Sequence, residues 1–203
     1  MQQLEVFADV ACPFAHAGLR AFTTYRRERG ATAPRLVVRA WPLELVNDSP
    51  HSGRHLAPEI VALRAGPAPD LFAGFTAEPF PASSLAALAS AAAAYRTGPA
   101  HGEAFSLAVR DALWEHGMDI DDPAVLARLR ADLEVPDPTS ADEASVHADL
   151  DEGRRRGVTG SPHFFTEHGD FFCPSLDITK EGGEMRVAFD LDGFREFAAA
   201  VFA

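Results

Sequence analysis

Val10-Ala11-Cys12-Pro13-Phe14-Ala15 follows a short alternating run, Leu4-Glu5-Val6-Phe7-Ala8, and opens a helical pattern. The run has the alternation of a strand, and Asp9 is a turn residue after it. Pro13 suits the first helical position, where no N–H is needed. Phe14, Ala17, Leu19, Phe22 and Tyr25 carry the apolar faces onward to the basic end at Arg26 to Arg29, and Gly30 is the stop. Leu36-Val37-Val38-Arg39-Ala40-Trp41 is a second β-rich run, closed by Pro42. Residues 4–41 therefore spell β-α-β, with Cys12 at the first strand-to-helix junction. A thiol in that seat faces free backbone N–H groups and the positive end of the helix dipole. Both favour the thiolate, so a pKa below the reference of about 8.5 is expected. Position 15, where a C-x-x-C motif would carry its second cysteine, is Ala15.

The composition bounds the function. At 203 residues the chain is one large domain, or one core domain with an insertion, and 47% hydrophobic residues suffice for a core. The formal charge of −12 repels polyanions, which argues against nucleic acid or an anionic membrane surface as partner. No stretch approaches the ~20 apolar residues of a membrane span. The start, Met1-Gln2-Gln3-Leu4-Glu5, has no basic or apolar region of a secretory signal, so a cytoplasmic location is expected. Only Cys12 and Cys173 are cysteines, which does not make a disulfide framework. One lysine, Lys180, against many arginines and alanines reflects GC-rich coding and carries no mechanism.

Residues 48–82 are rich in Pro, Gly and His and predict loops with a short helix around Glu59 to Arg64. Helical patterns then follow one another: Ser83 to Tyr95, Ala100 to His116, a helix begun by Asp122-Pro123, and Ser140 to Arg156 before Gly157. Strands return as Pro162 to Thr166 and Phe171 to Cys173, a hairpin with Gly169 in its turn, and a last helix spans Asp192 to Phe202. The order is β-α-β, a helical block, then β-β-α, with no internal repeat.

A second motif stands in Gly157-Val158-Thr159-Gly160-Ser161-Pro162-His163-Phe164-Phe165, a Gly-bounded loop running into a proline that starts a strand. A cis X-Pro bond fits there, and the backbone before the proline is left free to pair with an extended substrate. With Cys12-Pro13-Phe14-Ala15, this loop makes the chain resemble the DsbA-like branch of the thioredoxin superfamily, over nearly its whole length. The resemblance implies an α/β thioredoxin-like fold with a large helical insertion: residues 1–47 and 157–203 as the thioredoxin-like domain, 48–156 as the inserted helical subdomain. It also implies that Ser161-Pro162 packs beside Cys12 and that Ser161 presents its backbone to substrate.

Within that family, dithiol members oxidise or isomerise disulfides. Hydroxychromene-carboxylate isomerases and kappa-class glutathione transferases instead bind a small thiol and often carry serine at the cysteine position. Phe171-Phe172-Cys173-Pro174-Ser175-Leu176 also resembles a stretch of mycothiol-dependent reductases, where glycine is usual in place of Cys173. The leading expectation is a thiol oxidoreductase with Cys12 as nucleophile, resolved by a low-molecular-weight thiol (mycothiol or glutathione) or by Cys173. Pro13, Phe14, Ser161, Pro162 and His163 would line the thiol site, with no tightly bound cofactor. A thiol-dependent isomerase or transferase is the alternative, and a non-catalytic binding module of the same fold the third. The partner is a small thiol or disulfide, and the chain is a monomer or homodimer.

Plainer roles stand beside these. A lone cysteine is often a buried small hydrophobe, which is the first expectation for Cys173 but not for Cys12. His16 is expected to be an ordinary helix-surface histidine, with thiolate stabilisation as the alternative. His163 follows the proline, though its ring is free to point away along the strand. His51 and His55 stand four residues apart without a further ligand in sequence, so no metal site is expected. Trp41 and Trp114 are core residues.

Overall fold

A computed structural model describes residues 3–30, 34–182 and 184–202. Met1 and Gln2, on which the sequence reading of the N-terminus partly rests, lie outside them.

Strand β1 (Gln3–Ala8) leads through the Asp9–Cys12 turn into helix α1 (Pro13–Arg29), and β2 (Arg35–Ala40) returns parallel to β1. Strands β3 (His163–Thr166) and β4 (Gly169–Phe172) form the late hairpin. The four strands make one sheet in the order β2-β1-β3-β4, with β3 antiparallel to β1 and Val6 opposite Phe164. Period-two alternation sorts the side chains to the two faces. Val6 and Phe164 join Leu19 and Phe22 of α1 and Phe197 of the terminal helix on one face. Phe7 and Phe165 join Trp41, Leu150 and Val158 on the other. Each large side chain buried this way stabilises the fold by roughly 1.5–3 kcal/mol.

Between β2 and β3 run α2 (Leu43–Val46), α3 (Gly53–Ala65), α4 (Leu85–Thr97), α5 (Pro99–Trp114), α6 (Pro123–Asp132) and α7 (Ser140–Arg156). Helix α7 starts on a reciprocal Thr139–Asp142 capping box and stops at Gly157, whose φ of 75° is left-handed. The block is tied to the sheet by polar bonds as well as apolar contacts. Glu103 of α5 accepts from the Leu36 amide and pairs with Arg26 and Arg35. Asp149 of α7 accepts from the Ala40 amide and from Arg39.

Three features depart from the sequence expectation. Helix α3 is longer than Glu59 to Arg64, with Pro58 inside it. The short α2 lies in a segment with no periodicity to announce it. A second hairpin, β5 (Leu176–Glu181) and β6 (Glu184–Phe189), precedes α8 (Leu191–Val201), so the chain ends β-β-β-β-α and not β-β-α. Its alternation is short and interrupted by charge, and a two-stranded ribbon needs a neighbour to be stable. Helix α3 is that neighbour: Val187 is buried, and a Cβ added to Gly66 would stand 2.2 Å from the Val187 carbonyl oxygen.

Candidate active site

Cys12 is the N-cap of α1, in extended backbone conformation, and its Sγ accepts from the Ala15 amide at 3.4 Å. The thiol also reaches the Ser161 carbonyl oxygen at 3.1 Å. The Ser161-Pro162 bond is cis. The Ser161 hydroxyl accepts from the Asp9 amide at 2.9 Å, so one serine holds both ends of the turn that carries Cys12. Asp9 accepts from the Ala11 amide within that turn and from the Leu43 amide across it.

Helix α5 supports the turn from below. Arg110, 1% exposed, donates to the Asp9 carbonyl at 3.1 Å and to Ser106, while Trp114 Nε1 donates to the Val10 carbonyl at 3.0 Å. Burial lowers the Arg110 guanidinium to about 10, which leaves it charged at neutral pH. Neither residue carries a sequence signal of a site; their spacing reads simply as the buried face of a helix.

Cys173 lies just past β4, in the turn to β5, with a left-handed φ of 49°. The expectation that it sits in the strand is corrected by one residue: its amide donates to the Pro162 carbonyl at 3.0 Å, which closes the turn outside the ladder. Cys12 and Cys173 thus flank the same two residues, Ser161 and Pro162, and both are free thiols. Pro162 is pressed against α1, where a Cβ on Gly18 would stand 3.3 Å from its Cγ.

The expected acidity of Cys12 is overturned. The thiol is 4% exposed, and burial pushes it up to about 12, against hydrogen bonding with the Ser161 side chain and from the Ala15 amide. Asp9 and Glu59 raise it further. The helix terminus does favour the thiolate, but removing a charge from water costs more than one long N–H···S contact returns. Cys173 is likewise pushed up to about 12, by burial and then by the nearby Cys12. Burial also lifts the Glu59 carboxyl to about 7, with Lys180 opposing.

The histidines fall differently from their sequence reading. His16 is 1% exposed, not on the surface, and its Nε2 meets Glu115 Oε1 at 2.6 Å. Burial lowers its basicity more than Glu115 restores it, so the ring is neutral and serves packing against Phe72 and Trp114. His163 is buried with its ring stacked on Phe165 and bonded to the Thr159 amide and Asp170. That is the face of the sheet opposite Phe164 and α1, so His163 does not join the thiols. Pro13 and Phe14 follow Cys12 at the start of α1, with Phe14 half-buried against the core. His51 meets Asp9 and Glu44 instead of His55.

Comparisons with known proteins agree with this architecture. The model of the DSBA-like thioredoxin domain matches residues 3–180. A protein from Nitrosomonas europaea assigned as a disulfide isomerase superposes with a TM-score of 0.64 at 13% identity, covering 98% of this chain and 97% of that one. A 2-hydroxychromene-2-carboxylate isomerase gives 0.58 at 17% identity, covering 98% and 92%. The cytosolic disulfide reductase DsbM from Pseudomonas aeruginosa gives 0.53 at 16% identity, covering 95% and 90%. No curated protein matches the sequence. Among the described residues no helix is long and apolar enough to cross a membrane. With a cysteine capping the first helix, a cis-proline loop against it and the family model matching from β1 into β5, the chain belongs to the DSBA-like thioredoxin domain family.

Proposed function

We propose that this chain is a thiol–disulfide oxidoreductase in which Cys12 is the nucleophile and Ser161-Pro162 the edge that receives the substrate. The observation that supports it is the 3.1 Å contact of Cys12 Sγ with the Ser161 carbonyl, with Cys173 bonded to the adjoining Pro162 carbonyl. The Cys12 thiol, neutral in the free protein, gives up its proton as its sulfur attacks one sulfur of a disulfide, forming a mixed disulfide and releasing the other half as a thiol that carries that proton away. Cys173 then attacks Cys12 Sγ, expels the second half, and leaves a Cys12–Cys173 disulfide with the substrate reduced by two electrons. Alternatively a low-molecular-weight thiol such as mycothiol or glutathione attacks Cys12 Sγ and expels the second half as a thiol, and a second such thiol then frees Cys12 by forming the small-thiol disulfide. Capture of glutathione by the DsbM relative favours a small thiol as partner. A reducing compartment such as the cytoplasm, a partner that is neither nucleic acid nor membrane, and a monomer or homodimer complete the proposal. So does a division into a thioredoxin-like part, 1–47 and 157–203, and the inserted helices between them.

A thiol-dependent isomerase or transferase is the second function, and one observation favours it: Cys12 is 4% exposed, and that burial raises its pKa and favours the neutral thiol. A neutral thiol orients a bound cofactor thiol by hydrogen bonding without cycling through a disulfide. The two part on Cys12→Ser. Disulfide-reducing turnover is expected to vanish in that variant, whereas an isomerase keeps much of its rate; full retention of disulfide reduction overturns the oxidoreductase. Mass spectrometry after mild oxidation of the wild type then identifies the resolving thiol. A Cys12–Cys173 bond names Cys173, and an adduct on Cys12 alone names the small thiol.

A further inference from the structure

Asp9, Glu44 and His51 come from three separate elements: the end of β1, helix α2 and the loop before α3. One donor atom from each lies within 4.8 Å of the other two. His51 Nε2 is 3.1 Å from Glu44 Oε2 and 3.5 Å from Asp9 Oδ2. The three side chains are 7%, 8% and 0% exposed for His51, Glu44 and Asp9. Although it points between the two carboxylates, His51 Nε2 makes no aligned hydrogen bond with either. The carboxylates are themselves fastened. Asp9 accepts from the Ala11 and Leu43 amides, and Glu44 from Ser83 and Ser84. The donors are thus rigidly placed, with the ring nitrogen in ion-pair range of both carboxylates but without an aligned hydrogen bond to either.

The geometry points to a divalent transition-metal site, of the zinc type, formed by Asp9, Glu44 and His51. Two arguments carry it. A tetrahedral zinc with ligands at ~2.0–2.1 Å sets neighbouring donor atoms ~3.3 Å apart, which the 3.1 and 3.5 Å separations bracket. Charge is the second. With both carboxylates ionised and the imidazole neutral, as ligation requires, the cluster carries −2, which a divalent ion cancels; without the ion, burial raises the Asp9 carboxyl and the carboxylates raise His51 against burial, so protons take its place. Uncompensated charge at this depth is costly. One imidazole with two carboxylates suits zinc, or manganese and iron, above the purely oxygen-seeking cations. Hydrogen bonds from Ser83, Ser84 and the Ala11 and Leu43 amides would hold the carboxylates in place. With three protein ligands the ion would keep its fourth position for water, and it would brace the Asp9–Cys12 turn through the Asp9 carboxylate.

The test is calorimetric titration of the full, reduced chain with zinc chloride, with X-ray absorption at the zinc edge reading the ligand set directly. One zinc per chain with a nitrogen and oxygen shell is expected. Affinity should fall on the order of a hundredfold in His51→Gln and in Glu44→Gln, and should stay unchanged in the Cys12→Ser/Cys173→Ser double variant. Circular dichroism of each metal-free variant checks folding, and the absorption spectrum needs no variant. Absence of binding means the three residues are an ion-paired triad only and overturns the site. So does sulfur in the zinc shell, or zinc affinity untouched by His51→Gln in a folded protein.

Discussion

At the scale of single residues, the decisive contest is between a helix terminus and burial at Cys12. The cap contact to the Ala15 amide is present, but the thiol is held at about 12 because desolvation outweighs it. Alkylation of Cys12 should therefore be slow at neutral pH and keep rising past the value of an ordinary thiol, 9.0, as followed by mass spectrometry across alkaline pH. Saturation of the rate below that value would show a cap stronger than the burial. Glu115 gives a second residue-scale test. Burial opposes its ionisation, but His16 and the Phe72 and Ala73 amides hold the carboxyl down to about 2. Glu115→Ala leaves a buried imidazole and an amide unpaired, so a loss of about 1–3 kcal/mol in urea unfolding is expected. Because the native carboxyl is more acidic than the unfolded one, that loss is full above about 4.5 and shrinks as pH falls towards about 2.

At the scale of elements, close approach of backbones sets where the insertion sits. Helix α7 lies on the sheet through Gly153, where an added Cβ would be 2.5 Å from the Trp41 ring. Gly153→Ala should cost about 1–3 kcal/mol through overpacking, read as a lower denaturation midpoint. Gly157→Ala, four residues on, has open space and only its φ of 75° to oppose it, so it should cost about 1 kcal/mol. A larger loss at Gly157 than at Gly153 would contradict tight helix–sheet contact as the controlling effect. These elements differed in legibility. The β-α-β start and α7 are plain in the sequence because periodicity, Pro13, the run Arg154 to Arg156 and Gly157 all agree locally. The β5–β6 hairpin is not, since Leu176, Ile178 and Val187 are shared out between charged neighbours and gain their shelter from α3.

At the scale of the whole molecule, two thiols buried together couple the site to stability. Both are raised from 9.0 to about 12, so the neutral form is the native one. Their contribution is complete below about 9 and is lost as pH climbs towards about 12. Thermal unfolding should show the wild type losing stability over that range more steeply than the Cys12→Ser/Cys173→Ser variant. Parallel curves would mean that the thiols are reached by water in the native state.

Local sequence determined the strand-to-helix seat of Cys12, the proline loop at 162 and the family fold, because strand period, helix caps and turn residues act over a few neighbours. Only the tertiary structure decided that His16 is buried, that His163 turns away from the thiols, and that Asp9, Glu44 and His51 meet. It also decided that Cys12 is neutral. Desolvation depends on everything packed around a group, here on the Ser161-Pro162 loop arriving from far along the chain, and no short stretch of residues encodes it.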